Sequence, residues 1–189
     1  MNTIFKKVAT GTAVLALSTG VFAGATFAAG NTTEINGGAR SLTGATTSEF
    51  TGVTLNGKIQ TVTANINSFT IMDATGSGAG WDFNVSATLF NHSTEGDLSA
   101  GSLILDIPTI TAIEEGSDEE NTILFPSEPV SIDNALATPV AILSAEADGG
   151  MGTYTVGAIP MTLTLMPNEV YSGTYTSTIT TTLTAGPGN

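Results

Sequence analysis

The sequence predicts an all-β domain, an antiparallel sandwich or barrel-like body of about eight to eleven short strands. Three observations lead there. In WDFNVSATLF, Trp81, Phe83, Val85, Ala87 and Leu89 share one parity while Asp82, Asn84, Ser86 and Thr88 share the other, the period of a half-buried strand. In GTYTSTITTTL, Tyr175, Ser177, Ile179, Thr181 and Leu183 alternate with Thr174, Thr176, Thr178, Thr180 and Thr182, a threonine row suited to a solvent-facing sheet surface. Outside the N-terminal segment no stretch combines a helical period with caps.

Taken in chain order, residues 1–28 have the layout of a secretory signal peptide. Lys6 and Lys7 form a positive end, an apolar stretch follows from Ala13, and small residues close it. Cleavage is expected after Ala23 or Ala28, the second being preferred. The apolar stretch is too short and glycine-broken for a membrane span, so no membrane insertion is expected after cleavage. Residues 29–49 are small, polar and rich in Gly and Thr, and read as a flexible lead-in or an edge strand.

The β domain is placed at 50–189. Val53 and Leu55 alternate with Thr54 and Asn56, and Asn56 with Gly57 marks a turn. Two runs through Ile59, Val62, Ile66, Phe69 and Ile71 come next. The apolar runs SLILDI (102–107), TILF (122–125), VAILSA (140–145), TYTVGA (153–158) and MTLTLM (161–166) are punctuated by Pro108, Pro126, Pro129, the Gly149 and Gly150 pair, and Pro160.

Charge excludes several function classes. The chain has 4 Lys+Arg and 17 Asp+Glu. Lys6 and Lys7 leave with the signal and no acid precedes Glu34, so the mature product keeps Arg40 and Lys58 and carries 2 − 17 = −15. Nucleic acid is ruled out, because phosphate binding needs clustered cations, and anionic lipid is disfavoured for the same reason. The charge also favours solubility of a chain of mean hydropathy +0.24. The absence of cysteine argues against a disulfide scaffold.

Candidate chemistry is sparse. The single histidine, His92, lies in an expected loop with no nucleophile marked beside it, so no enzyme is expected. The acids Glu114, Glu115, Asp118, Glu119 and Glu120 read as a solvated loop; as a calcium site they lack the alternating ligand spacing. No cofactor and no other metal site is expected. The sequons at Asn31, Asn84 and Asn91 read as incidental in a chain so rich in Asn, Ser and Thr.

The stretch DATGSGAGWDF holds the most information. Gly76, Gly78 and Gly80 precede Trp81, the only tryptophan. Glycine permits a sharp bend and close passage over another backbone. Two readings of Trp81 follow. It is either a core anchor fed by a glycine corner, or an exposed aromatic on a glycine-floored surface able to lie on a sugar ring. A phosphate loop is excluded, since no lysine follows and the segment enters a strand.

Here the chain resembles the WxL-domain surface proteins of low-GC Gram-positive bacteria. MDATGSGAGWDFNVSA is similar to the first motif of that family, with Asp73 and the three glycines as its turn and Trp81 and Phe83 as its W-x-L positions. LSAGSLILDI and AILSAEADGGMGTYTV are similar to its middle, and YSGTYTSTITTTLTAGP to its ending. Phe83 replaces the usual leucine, and in the second motif Thr181, with Leu183 two residues on, stands where the family has tryptophan.

The resemblance implies non-covalent attachment to the cell wall through peptidoglycan, a secreted, cell-surface location, and Trp81, Phe83, Thr181 and Leu183 as candidate wall-binding positions, with Trp81 leading. It also implies an alternative, a subunit of a surface complex with other WxL and WxL-interacting proteins, joined by strand addition at a sheet edge.

Overall fold

A computed structural model describes residues 32–186. The expected signal at 1–28, both cleavage positions and the Asn31 sequon lie outside the described residues. The strands are β1 (Arg40–Thr43), β2 (Gln60–Ile66), β3 (Phe69–Asp73), β4 (Trp81–Ala87), β5 (Asn91–His92), β6 (Gly96–Asp97), β7 (Leu103–Leu105) and β8 (Ile110–Ile113). After a single 3₁₀ turn at Glu120–Thr122 come β9 (Ile123–Leu124), β10 (Val130–Ser131), β11 (Val140–Ala145), β12 (Gly152–Val156), β13 (Ile159–Leu165), β14 (Tyr175–Thr176) and β15 (Ile179–Ala185). All strand pairings between these elements are antiparallel, in the orders β1-β3-β12-β8, β10-β7-β13-β2, β15-β4-β11-β9 and β14-β5-β6.

The first two sheets are halves of one bent sheet. Ile66 of β2 pairs with Ile159 of β13, and Phe69 of β3 pairs with Val156 of β12. Asn67 and Ser68 therefore stand opposite Gly157 and Ala158, and both chains turn the same corner together. Ser68 fixes it by donating its hydroxyl to Val156 O at 2.7 Å. β7 and β8 continue one another through residues 106–109 in the next lane, where Asp106 N donates to Pro160 O and Gly157 N to Thr109 O, each at 2.9 Å. On the far side residues 40–48 follow the bend, since β1 lies along β3 and Asn67 N donates to Thr46 O at 2.8 Å. Strands that change sheet through a bend are the usual way to make such corners.

The corner and several two-residue strands explain why fifteen segments are found instead of about eight to eleven. Two further expectations are corrected. Residues 53–56 form no strand; only the Asn56 turn survives, its Oδ1 accepting Lys58 N at 3.0 Å. Pro160 does not end a run but sits inside β13, with its carbonyl side facing the point where β7 has already stopped.

The third sheet packs on the bent one. Phe83 lies on Phe69 with ring centroids 4.5 Å apart, and Trp81 meets Tyr154 at 6.2 Å. These rings, with Ile71, Leu103, Leu105, Val156 and Ile159, are buried and form the core. Buried Asp133 ties β10 and the loop before β7 together by accepting Gly101 N at 3.0 Å and Ser102 N at 3.1 Å. β4 differs from its half-buried expectation. It is the inner strand between β15 and β11, and Asp82 and Ser86 on its polar parity are buried too. The Ser144 hydroxyl bonds the Asp82 carboxylate there. The C-terminal alternation holds through two sheets: Tyr175, Ser177, Ile179, Thr181 and Leu183 are half-buried, while the five alternating threonines from Thr174 to Thr182 are exposed.

Candidate functional site

The motif turn is a clamp around Trp81. Asp73, buried at the end of β3, receives Arg40 Nε at 3.1 Å and Nη2 at 2.7 Å on Oδ2. Its Oδ1 accepts the Thr75 N–H at 3.0 Å and the Thr75 hydroxyl at 2.6 Å. Burial pushes the Asp73 carboxyl upward, but the Thr75 hydroxyl and the Arg40 guanidinium outweigh it and hold the group below its ordinary 3.8. The turn then crosses the end of β11, where Gly78 O accepts Asp148 N at 2.8 Å. Gly80 is the tightest point: φ is +72°, and a Cβ there would lie 2.1 Å from Ala145 O. Only glycine passes.

Trp81 therefore enters the core. It is 0% exposed, and its indole Nε1 donates to Gly150 O at 2.8 Å. Of the two sequence readings, the core anchor is the one observed, and the expectation that Trp81 leads a stacking contact with a wall ligand is corrected. A side chain without exposed surface offers no face to a sugar. Phe83 is equally buried. Tyr154 completes the clamp from β12, its hydroxyl shared between Asp118 O and Met151 O at 3.0 Å each. Burial and then the Asp118 charge push the Tyr154 phenol above its ordinary 10.0, so it stays a donor.

Thr181 and Leu183 lie beside these residues, because β15 pairs with β4 in the register Thr181↔Val85 and Leu183↔Phe83. Both are half-buried, and they line a recess of ≈ 400 Å³ against Arg40, Ser41 and Leu42 of β1. Thr181 Oγ1 reaches Ala45 O at 3.4 Å. The four W-x-L positions thus form one patch of adjoining strands, half core and half recess.

The acidic loop does not converge on a point. Asp118 Oδ2 accepts Met151 N at 2.9 Å, and among the described residues no group of three or more potential ligands is placed to hold a metal. His92 is buried under the 171–174 loop, with its ring 5.0 Å from that of Tyr175. Its Nδ1 accepts Glu95 N at 3.2 Å and Thr94 N at 3.3 Å, which puts the ring proton on Nε2.

The sequence reading missed a larger feature. A groove of ≈ 880 Å³ lies between residues 47–55 and residues 170–177, over a floor that includes Val62 and Leu163. Phe50 is fixed in it edge-on to Phe90 at 5.5 Å. Tyr175 is fixed between His92 and the Tyr171 N–H, which its hydroxyl accepts at 2.9 Å. Tyr171 itself is 53% exposed. Gly173, at φ +152°, lets the loop press down, since a Cβ there would lie 2.0 Å from His92 Nε2. The only sequence signal was the pair of tyrosines around Ser172 and Gly173, and nothing linked it to residues more than a hundred positions earlier.

The body that carries the motif is thus all-β, built of stacked antiparallel sheets with a glycine clamp seating Trp81. The comparisons give the family. Residues 25–187 match the WxL domain, described as surface cell wall-binding, and the chain belongs to that family. Neither the curated proteins nor the solved structures gave a match.

Proposed function

We propose that the mature chain is a secreted surface protein held to the Gram-positive wall non-covalently, through peptidoglycan. Family membership supports association with wall material. The observation that favours peptidoglycan over anionic wall polymers is the condition of the basic residues. Beyond the expected signal there are two, Arg40 and Lys58, against 17 acids. Arg40 is engaged by Asp73 in the one ion pair among the described residues. Lys58 stands in an exposed turn. A polyanion therefore meets a repelling surface, and neutral contacts carry the attachment.

The test is co-sedimentation of purified mature protein with isolated sacculi. Retention that does not weaken between low and high salt is expected, because repulsion rather than attraction is screened. Absence of retention at either salt, with or without Ca²⁺, would overturn the reading.

One observation favours the second reading, membership of a complex with other WxL or WxL-interacting surface proteins. β15 is an edge strand whose sequence, ITTTLTA, carries neither charge nor proline. Such an edge is open to strand addition. Under this reading retention on cells requires a partner protein and sacculi alone retain nothing.

A further inference from the structure

We propose that the groove between residues 47–55 and 170–177 is a binding site for an uncharged glycan chain; this deepens the wall-attachment reading and rests on it for the identity of the polymer. At ≈ 880 Å³ the groove has the size of a small-ligand site. Glu49 is the one charged residue lining it, although the mature chain carries −15. A recess kept almost free of acids on so acidic a domain suits a ligand without charge. The floor is aliphatic, which fits the C–H faces of sugar rings. Threonine side chains on both walls, Thr51 and Thr174 among them, supply hydroxyls for sugar hydroxyls and acetamides.

The aromatic groups are divided by role. Tyr171 offers an exposed face for stacking. Phe50 and Tyr175 are already immobilised, Phe50 by Phe90 and Tyr175 by His92 and the Tyr171 N–H, so little ordering remains to be done on binding. Tyr175 accepts that N–H and keeps its own proton to donate. A lipid tail or an apolar helix would leave this row of hydroxyls unpaired, and a polyanion would face the acidic domain.

The experiment titrates ¹⁵N-labelled mature chain with the β-1,4-linked N-acetylglucosamine tetramer, and separately with a wall stem pentapeptide. Amide shifts confined to residues 47–55 and 170–177 with the tetramer are expected. Tyr171→Ala should weaken that binding about three- to tenfold, as loss of one stacking contact does. Tyr171 is exposed, so the fold is not at risk, and the emission of Trp81 verifies it. No shifts at millimolar tetramer, shifts located elsewhere, unchanged binding by Tyr171→Ala, or shifts with the pentapeptide alone would each overturn the site. Sacculus co-sedimentation reads the parent proposal independently. Retention on sacculi without tetramer binding leaves wall attachment standing and removes the groove; tetramer binding without retention does the reverse.

Discussion

β4 and β15 are neighbours in one sheet, and each carries a position that the sequence likens to a W-x-L motif, yet the two positions do different things. Trp81 is wholly buried, hydrogen-bonded to Gly150 and clamped by a glycine turn. Thr181 is half-buried, faces a recess of ≈ 400 Å³ and makes one long contact to Ala45. The two positions thus divide into a packing anchor and a half-buried threonine beside a recess. Motif positions in this protein describe how the sheet is built; where a ligand sits is a separate question.

Five substitutions break or sharpen the contrast, the four with a stated energy in descending order of effect and Asp73→Asn beside its partner Arg40→Ala. Trp81→Ala should destabilise by about 4 kcal/mol, since it empties a core site and leaves Gly150 O unpaired. Urea denaturation followed by circular dichroism measures it. In the wild type, Trp81 emission should be blue-shifted and indifferent to iodide.

Arg40→Ala should cost about 3 kcal/mol by leaving the Asp73 carboxylate buried without its cation, read in the same denaturation assay. The pH dependence follows from the sign of the Asp73 shift. Its folded value lies below its ordinary 3.8, so the stability it contributes is present above 3.8 and is lost as pH falls through the lower folded value. The wild type should therefore lose stability as pH falls from 3.8 towards that lower folded value, and Asp73→Asn should flatten that part of the profile.

Gly80→Ala forces a Cβ onto Ala145 O and requires a left-handed φ. A loss of about 2 kcal/mol is expected, seen as a lower melting temperature, with iodide gaining access to Trp81 if the clamp opens. The smallest effect is the most discriminating. Thr181→Trp should fill the recess against Leu42 and raise stability by about 1 kcal/mol; a loss instead would mean that β1 and β15 are held apart by more than an absent side chain.

Much of this architecture was legible. Alternation through 81–87 and 175–183 marked strands there, although the second run proves to be two, β14 and β15, in different sheets, and the position of the glycines announced the close crossing at Gly80. The bend was not legible. Asn67 and Ser68, or Gly157 and Ala158, look like ordinary small-residue interruptions, and only the pairing of Ile66 with Ile159 and Phe69 with Val156 shows one sheet continuing through them. The direction of Trp81 was undecidable because a glycine turn can aim a side chain either way. The groove was invisible for a different reason: Phe50 and Tyr171 meet only after the whole domain has closed, and no periodicity links them.

The shared corner also governs how the body comes apart. Three lanes of chain run through it, each contributing a strand to both halves, which couples the melting of one half to that of the other. Amide protection on either side of Ser68 and Gly157 should then collapse in a single cooperative event, and pulling the protein from its ends should meet one mechanical unit in place of two. For a domain of a surface cell wall-binding family, that indivisibility is a property worth having.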